Sequence, residues 1–250
     1  MIGGNFMILS YLMLAIIVFI AALVQSTSGF GFGIIFMAVM PLILPYKECN
    51  VLTLATVLCL QAYTVIKFRR HINYRMVIVP AIAALIFGSI GVHLMISMSG
   101  TAMNFVLGIF LWVLAFYLIF LASRVHLKKN PITGFFAGYF GGFMDGMFAI
   151  GGPPMVAYFD SVMNDPMEYQ ATLQLYFMIT TVNVLFNNII CGNFTAKLVA
   201  PLSISIVCCL VGTTLGMHFT QKISMKLVRK LAYTVMLLAG AYHIIKGFIG

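Results

Sequence analysis

Long apolar runs without a charged residue make up most of this chain. Such runs cover residues 1–46, 51–66, 76–123 and 198–221. A helix needs about 20 predominantly apolar residues to cross the hydrocarbon core of a bilayer, and its backbone polar groups must be paired within the segment. The pattern therefore predicts an all-α polytopic membrane protein.

Glycine, proline and charged residues divide the chain into ten apolar segments. Two of them, 32–45 and 152–163, are too short to span a bilayer. Each follows a glycine-rich stretch, a pattern expected where a helix is interrupted inside the membrane. The ten segments are 7–24, 32–45, 51–68, 76–96, 101–122, 132–144, 152–163, 169–190, 198–219 and 227–246.

A repeated order of motifs indicates two related halves. GSIGVH, which ends at His93, recurs as GTTLGMH, which ends at His218, and a short polar turn and a final helix follow each. The glycine-rich breaks SGFGFG (28–33) and DGMFAIGGPP (145–154) fall at corresponding places upstream. We predict two transmembrane repeats, 1–123 and 131–250, joined by a cytoplasmic connection at 124–130. Each repeat is a broken glycine-rich hairpin followed by three transmembrane helices.

The basic residues predict that the two halves are inverted. Clusters at 67–75 and 124–129 mark cytoplasmic loops, whereas in the second half the bias moves to 222–230. This scheme puts both termini outside. It also puts the 160–168 loop in the cytoplasm although that loop has acidic residues and no basic one. The basic residues in question are Lys67, Arg69, Arg70, Arg75, Arg124, Lys128, Lys129, Lys222, Lys226, Arg229 and Lys230.

Composition and charge narrow the class of protein and its partners. Hydrophobic residues make up 62% and charged residues 8% of the chain, against roughly 25% charged in soluble domains. The net charge of +9 lies in short clusters between apolar segments, which indicates topology signals and lipid headgroup contacts rather than nucleic-acid binding. The expected partners are the bilayer and a small anionic substrate, and a homodimer is left open.

The two glycine-rich breaks are the candidate binding elements. Glycine allows positive φ and close backbone approach, and a half-helix that starts after a break points unpaired N–H groups into a cavity, where they attract anions. The alternative is that these glycines serve only close helix packing. Their occurrence in both halves favours a binding role. Pro153 suits the first turn of a half-helix because its missing N–H would be unpaired there.

The second break also carries a family resemblance. GGFMDGMFAIGGPPMVAYF resembles the GxxxGxxGxGGPP signature of TauE/SafE permeases, and SGFGFGIIFMAVMPLILP resembles its first-half counterpart. The likeness covers nearly the whole chain. It implies a two-repeat protein of the bacterial inner membrane that moves sulfite, sulfoacetate, taurine-related or other small sulfur-containing anions without ATP hydrolysis. Asp145 departs from the pattern, which has a small residue there.

Asp145 is the acidic residue most clearly embedded in an apolar segment. Ionisable groups inside a membrane are costly, and they are candidates for function. Asp145 could exchange a proton during transport, or it could cap a helix start by accepting backbone N–H bonds. Both alternatives stay open at this point.

Polar side chains on the helix after each hairpin complete the candidate site. Gln170 and Gln174 share a helical face, and amide groups can donate to sulfonate oxygens. The chain shows no nucleophile with a base, no metal-binding set and no phosphate loop, so neither an enzyme nor a cofactor is predicted. The rivals are a proton-coupled carrier of another small anion and a scaffold that docks a partner enzyme. The candidate substrate-binding residues are Gln25, Ser26, Ser28, Gly29, Phe30, Gly31, Phe32, Gly33, Gly146, Gly151, Gly152, Pro153, Gln170 and Gln174, with Asp145 for proton coupling.

Overall fold

A computed structural model describes residues 2–122, 124, 127–219 and 225–249, with side chains for 9–122, 124, 127–218, 230 and 232–248. Every regular element in these ranges is helical. The α-helices are α1 Ile2–Ser28, α2 Phe32–Val39, α3 Tyr46–Phe68, α4 Tyr74–Ser97, α5 Gly100–Phe116, α6 Pro131–Phe148, α7 Gly152–Val162, α8 Pro166–Ile190, α9 Val199–Phe219 and α10 Met225–Ile249. A π-helical turn, Tyr117–Leu121, extends α5.

The helices confirm an all-α, multi-pass membrane architecture. Within the described residues, six helices (α1, α3, α4, α5, α8 and α9) are long and apolar enough to cross a bilayer. α2 and α7 are short, with 8 and 11 residues. Each short helix follows a break at the predicted glycine-rich stretch, so the predicted interruptions are present.

Glycine seams hold two pairs of helices at close range. Along α6, a Cβ on Gly138 would overlap the Pro80 carbonyl of α4, and a Cβ on Gly142 would overlap Ala84. α9 meets α1 in the same way, because a Cβ on Gly216 would overlap the Ser26 hydroxyl. Small residues let helix backbones approach within a membrane, where packing drives association.

Helices of the two halves pair in a matched order. α4 packs on α6 and α8, just as α9 packs on α1 and α3. Two further pairs join equivalent helices, α3 with α8 and α5 with α10. α2 also packs on α10, and among the described residues this contact has no comparable counterpart between α7 and α5.

The pairs that join equivalent helices are antiparallel. Near the start of α3, Asn50 Oδ1 accepts from Asn188 Nδ2 of late α8 at 3.3 Å. The α3–α4 loop is next to early α8, where Thr172 Oγ1 accepts from the Asn73 N–H at 3.0 Å. Likewise, a Cβ on Gly247 of late α10 would overlap Phe105 of early α5, while Tyr233 Oη of early α10 donates to the Leu118 carbonyl just after α5 at 3.4 Å.

The acidic loop before α8 lies beside the basic α3–α4 loop. Arg70 and Arg75 line a surface cleft together with Asp165 and Glu168, and Asn73 Nδ2 donates to Glu168 Oε1 at 2.7 Å. The predicted orientation requires these two loops to share one side. For the basic cluster at 222–230, Lys222 and the side chains of Lys226 and Arg229 lie outside the described residues.

Candidate functional site

The two helix breaks are in direct contact with each other. The first break, residues 29–31, separates α1 from α2, and the second, residues 149–151, separates α6 from α7. A Cβ on Gly33 would overlap the carbonyl oxygen of Ala149, and a Cβ on Gly152 would lie 3.3 Å from Cβ of Phe30. The starts of both short helices therefore face the opposite break.

Both long helices end at a residue with positive φ. Gly29 has φ 83° and donates its N–H to the Gln25 carbonyl at 2.8 Å. Ala149 has φ 53° and donates its N–H to the Asp145 carbonyl at 2.8 Å. Left-handed φ is unusual for a residue with a Cβ. The sequence showed two glycine-rich breaks, but it gave no sign that Ala149 would supply this turn.

A cavity of about 40 Å³ lies between the breaks and the middle of α3 and α8. One water needs roughly 10–15 Å³ of cavity volume, so this cavity accommodates a few waters or a small anion. The lining residues are Gln25, Phe30, Gly31, Gly33, Ile34, Leu54, Val57, Gln61, Asp145, Ala149, Ile150, Gly151, Gly152, Pro153, Phe177 and Thr181.

Most lining residues fall into pairs whose two members are 120 residues apart in the chain. One member of each pair belongs to the first half and the other to the second, so equivalent positions of the two halves line one cavity. The pairs are Gln25 with Asp145, Phe30 with Ile150, Gly31 with Gly151, Gly33 with Pro153, Val57 with Phe177 and Gln61 with Thr181.

The polar groups of the cavity include both donors and acceptors. Gln25 Oε1 accepts from the Phe32 N–H at 2.9 Å, and Gln61 Nε2 donates to Thr181 Oγ1 at 3.1 Å. The first-turn N–H groups of Gly33 and Ile34 have no acceptor within their own helix. α7 contributes fewer donors than α2, because residues 153 and 154 are both proline. No Lys or Arg side chain lines the cavity among the described residues.

Asp145 lies near the end of α6 and lines the cavity. Its side chain is 7% exposed, and Oδ2 has no hydrogen-bond partner among the described residues. The Thr180 hydroxyl and the Gly151 backbone N–H lie beside the carboxyl group, and Tyr176 is within electrostatic range. Asp145 is in the last turn of α6, so it does not cap the start of its own helix. Its carboxyl group instead faces the start of α7.

Eight of the candidate residues from the sequence meet at the cavity. They are Gln25, Phe30, Gly31, Gly33, Asp145, Gly151, Gly152 and Pro153. The breaks themselves bring these residues together, since the contact between them places the last turn of each long helix and the first turn of each short one around one space.

Other candidate residues lie close to the breaks but outside the cavity lining. Ser26 faces Gly216 of α9, and Phe32 is fully buried in a stack with Phe36. Ser28 Oγ donates to the Phe30 carbonyl at 2.6 Å. On α6, a Cβ on Gly146 would overlap the Gly88 carbonyl of α4. These four residues stabilise the breaks and the helix seams.

Gln170 and Gln174 of α8 hold the first break in place. Gln174 Nε2 donates to the Gly29 carbonyl at 2.7 Å, and a Cβ on Gly29 would lie 2.6 Å from Gln170 Oε1. They therefore contact the backbone of the break rather than the cavity.

Gln61 and Thr181 line the cavity and were absent from the candidate residues. Gln61 is 3% and Thr181 2% exposed, and Gln61 Oε1 has no partner among the described residues. Gln61 follows Gln25 by the same number of residues, 36, as Thr181 follows Asp145. This equal spacing was a signal in the sequence. The described residues contain no group of three or more His, Cys, Asp or Glu that could hold a metal ion.

Comparison with known proteins agrees with the membrane architecture. The model of the family "Sulfite exporter TauE/SafE" matches residues 14–243. A probable sulfite/organosulfonate exporter TauE from Cupriavidus necator is 27% identical over 234 residues, which cover 87% of each chain. No solved structure matches the chain significantly. These matches confirm the predicted resemblance, the prediction of a transporter rather than an enzyme, and the placement in a bacterial inner membrane. The chain belongs to the sulfite exporter TauE/SafE family of membrane transporters.

Proposed function

We propose that this chain is a secondary transporter of small sulfur-containing anions, such as sulfite, sulfoacetate and taurine-related organosulfonates. The observation that carries the proposal is that the breaks of both halves meet at one small cavity lined by buried polar side chains. The name of the Cupriavidus necator relative supports the substrate class. The anion would be held near the membrane midplane, between the starts of α2 and α7.

Neutral donors and helix dipoles would supply the positive potential for the anion. The N–H groups of Gly33 and Ile34 lie in the first turn of α2, where the helix dipole favours negative charge. The Thr181 hydroxyl adds a side-chain donor to the same cavity. The absence of a cationic side chain among the described lining residues fits a substrate that must also be released.

Flux measurements in proteoliposomes test the substrate class and the site. Labelled sulfite, sulfoacetate and taurine are loaded, and efflux is followed for the wild type, Gly152→Leu and Gly100→Leu. A larger side chain at Gly152 would meet Phe30 and Phe177, whereas nothing lies within 4 Å of a Cβ at Gly100. We expect efflux in the wild type and Gly100→Leu only. Absence of flux for every sulfur anion refutes the substrate class, and full flux in Gly152→Leu refutes the site.

We also propose that the two repeats, 1–123 and 131–250, have inverted topology. The antiparallel α3–α8 and α5–α10 pairs support this, because two repeats of the same orientation would make such pairs parallel. Cysteines at His71 and Thr195, which lie in the equivalent α3–α4 and α8–α9 loops, can be introduced into a chain whose five native cysteines are replaced and labelled with an impermeant thiol reagent. The first should react from the cytoplasmic side and the second from the outside, and labelling of both from one side would refute the inversion.

Proton coupling is a second proposal, and the geometry of Asp145 favours it. A carboxylate oxygen without a partner would repel an anion in the same cavity, whereas a protonated carboxyl group could donate to it. The cavity would then take up a proton together with the substrate. The dependence of flux on a proton gradient distinguishes this mechanism from uncoupled transport.

A further inference from the structure

A second, larger cavity forms a groove between α5 and the α6–α7 hairpin. Its volume is about 410 Å³, and it is lined almost entirely by apolar side chains. The lining residues include Val113, Tyr117, Leu127, Phe136, Phe140 and Pro153. We call this space the α5–α7 groove.

The equivalent place in the other half is closed by packing. There α10 packs on α2, and the ring Nε2 of His243 lies 3.3 Å from the Ala38 carbonyl oxygen. Among the described residues, α5 makes no comparable contact with α7. The π-helical turn Tyr117–Leu121 widens α5 at this point, and such turns often mark functional positions.

The α5–α7 groove opens toward the hydrocarbon of the bilayer. Its walls include Val113, Phe136 and Phe140, with exposed fractions of 62%, 53% and 49%. Water has few polar partners on such walls and is a poor occupant. An acyl chain matches their chemistry.

Two lysines adjoin the end of the groove at the membrane surface. Leu127 lines the groove, and Lys128 and Lys129, which follow it directly, are exposed. Basic residues next to a membrane attract anionic headgroups. We propose that the α5–α7 groove binds an anionic phospholipid, with an acyl chain between α5 and α7 and its phosphate beside Lys128 and Lys129.

Such a lipid would reach the start of α7. Pro153 lines both the groove and the polar cavity at the breaks. A chain in the groove would keep α7 away from α5 and contact the element that carries one wall of the polar cavity. The inference rests on the groove and its lysines, and it does not depend on which anion is transported.

Tryptophan quenching by brominated lipids tests the proposal. The chain has one tryptophan, Trp112, which is 48% exposed on α5 and does not line the groove. It reports bulk lipid in the wild type, and Phe136→Trp combined with Trp112→Phe places the probe in the groove. In mixed bilayers, brominated phosphatidylglycerol should quench the groove probe more strongly than brominated phosphatidylcholine. Trp112 of the wild type should show little preference.

Charge variants identify the headgroup contact. Lys128→Gln with Lys129→Gln should lower the preference for phosphatidylglycerol by roughly five-fold per lysine. Arg69→Gln with Arg70→Gln removes equal charge at another loop and should preserve it. Native mass spectrometry can count the lipids that remain bound to the same lysine and arginine variants when Trp112 and Phe136 are unchanged. This second measurement does not require the tryptophan variant to fold. Equal quenching by both lipids, or a preference that survives loss of both lysines, overturns the proposal. If neither lipid quenches the groove probe and the protein has twice the mass of one chain, a second copy of the chain covers the groove, and the proposal is overturned.

Discussion

Gln25 and Asp145 occupy equivalent places in the two long helices that end at the breaks. Each gives its backbone carbonyl to the residue with positive φ that ends its helix. Their side chains differ in charge. Gln25 Oε1 accepts the Phe32 N–H, while Asp145 Oδ2 remains without a partner among the described residues. The charge of the cavity therefore depends on the protonation of one side chain.

Replacement of Asp145 by Asn should remove the dependence of transport on a proton gradient. The amide keeps the shape of the side chain but cannot exchange a proton. We expect flux that no longer responds to an imposed pH difference, measured in proteoliposomes with labelled substrate.

Asp160→Asn is the matched control, because Asp160 is an exposed carboxyl group on α7 that does not line the cavity. It should retain the wild-type response. An unchanged gradient response in Asp145→Asn would contradict coupling through this residue and leave uncoupled transport in place.

Replacement of Gly33 by Ala should force the two breaks apart. The added Cβ would overlap the Ala149 carbonyl oxygen, which is backbone and cannot turn away. Overpacking of this kind costs about 1–3 kcal/mol, so we expect roughly five-fold or greater loss of transport.

Gly152→Ala provides the comparison at the same site, since its Cβ would lie 3.3 Å from Phe30 Cβ and needs only a small adjustment. Its flux and thermal unfolding in detergent should stay nearer the wild type. Equal effects of the two substitutions would show that the contact between the breaks is not what limits transport.

The breaks could be predicted from the sequence, but the side of each helix that faces the cavity could not. Ser26 and Ser28 are as close in sequence to the break as Gln25, yet they face α9 and the local backbone. Nearly every position on these helices is apolar or small, so hydrophobic periodicity does not distinguish a face toward lipid from a face toward protein. Only the packing of α9 on α1 decides it.

At the scale of elements, two glycine seams fix the distance between helices of different halves. α6 carries Gly138, Gly142 and Gly146 against α4, and α9 carries Gly212 and Gly216 against α1. These seams position the ends of α1 and α6, which form the site. They explain why glycines recur beyond the breaks in both halves.

Gly142→Ala should destabilise the α4–α6 pair. The added Cβ would overlap backbone atoms of Ala84, and we expect a loss of about 1–3 kcal/mol. Thermal unfolding of the purified protein in detergent measures the effect. Gly100→Ala adds the same methyl group in open space and should leave the unfolding temperature near that of the wild type. A Gly142→Ala protein as stable as Gly100→Ala would contradict a tightly packed seam.

The elements themselves were predicted more completely than their contacts. Ten apolar segments correspond to the ten α-helices described, and both short helices follow the predicted breaks. The pairing of α3 with α8 could not be predicted, because it depends on isolated contacts such as Gln61 with Thr181. One hydrogen bond between residues far apart in sequence leaves no local pattern.

At the scale of the whole molecule, the two halves differ at one interface. α2 packs on α10, whereas the α5–α7 groove separates the corresponding helices. In transporters built from inverted repeats, access alternates as one repeat rocks against the other. We expect the transport cycle to open the α2–α10 contact and close the groove.

A cross-link between α2 and α10 should therefore stop transport. Ala38→Cys and His243→Cys, introduced into a chain whose five native cysteines are replaced, can be joined by a short thiol reagent that a reductant cleaves. Flux should fall on cross-linking and return on reduction.

The same reagent on Leu118→Cys and Tyr233→Cys provides a control at the α5–α10 pair, where the Tyr233 hydroxyl donates to the Leu118 carbonyl at 3.4 Å. This link should have the smaller effect. Undiminished flux in the protein with the α2–α10 cross-link would show that this contact does not open during transport.

The unequal pair Gln25 and Asp145 has a consequence for how such a protein can arise. Two identical short chains that assembled around one cavity would present the same side chain twice, so they would carry two carboxyl groups or none. Once both halves belong to a single gene product, each can change independently. One titratable position beside one neutral amide is a composition that two copies of one short chain cannot present, whereas the fused chain can.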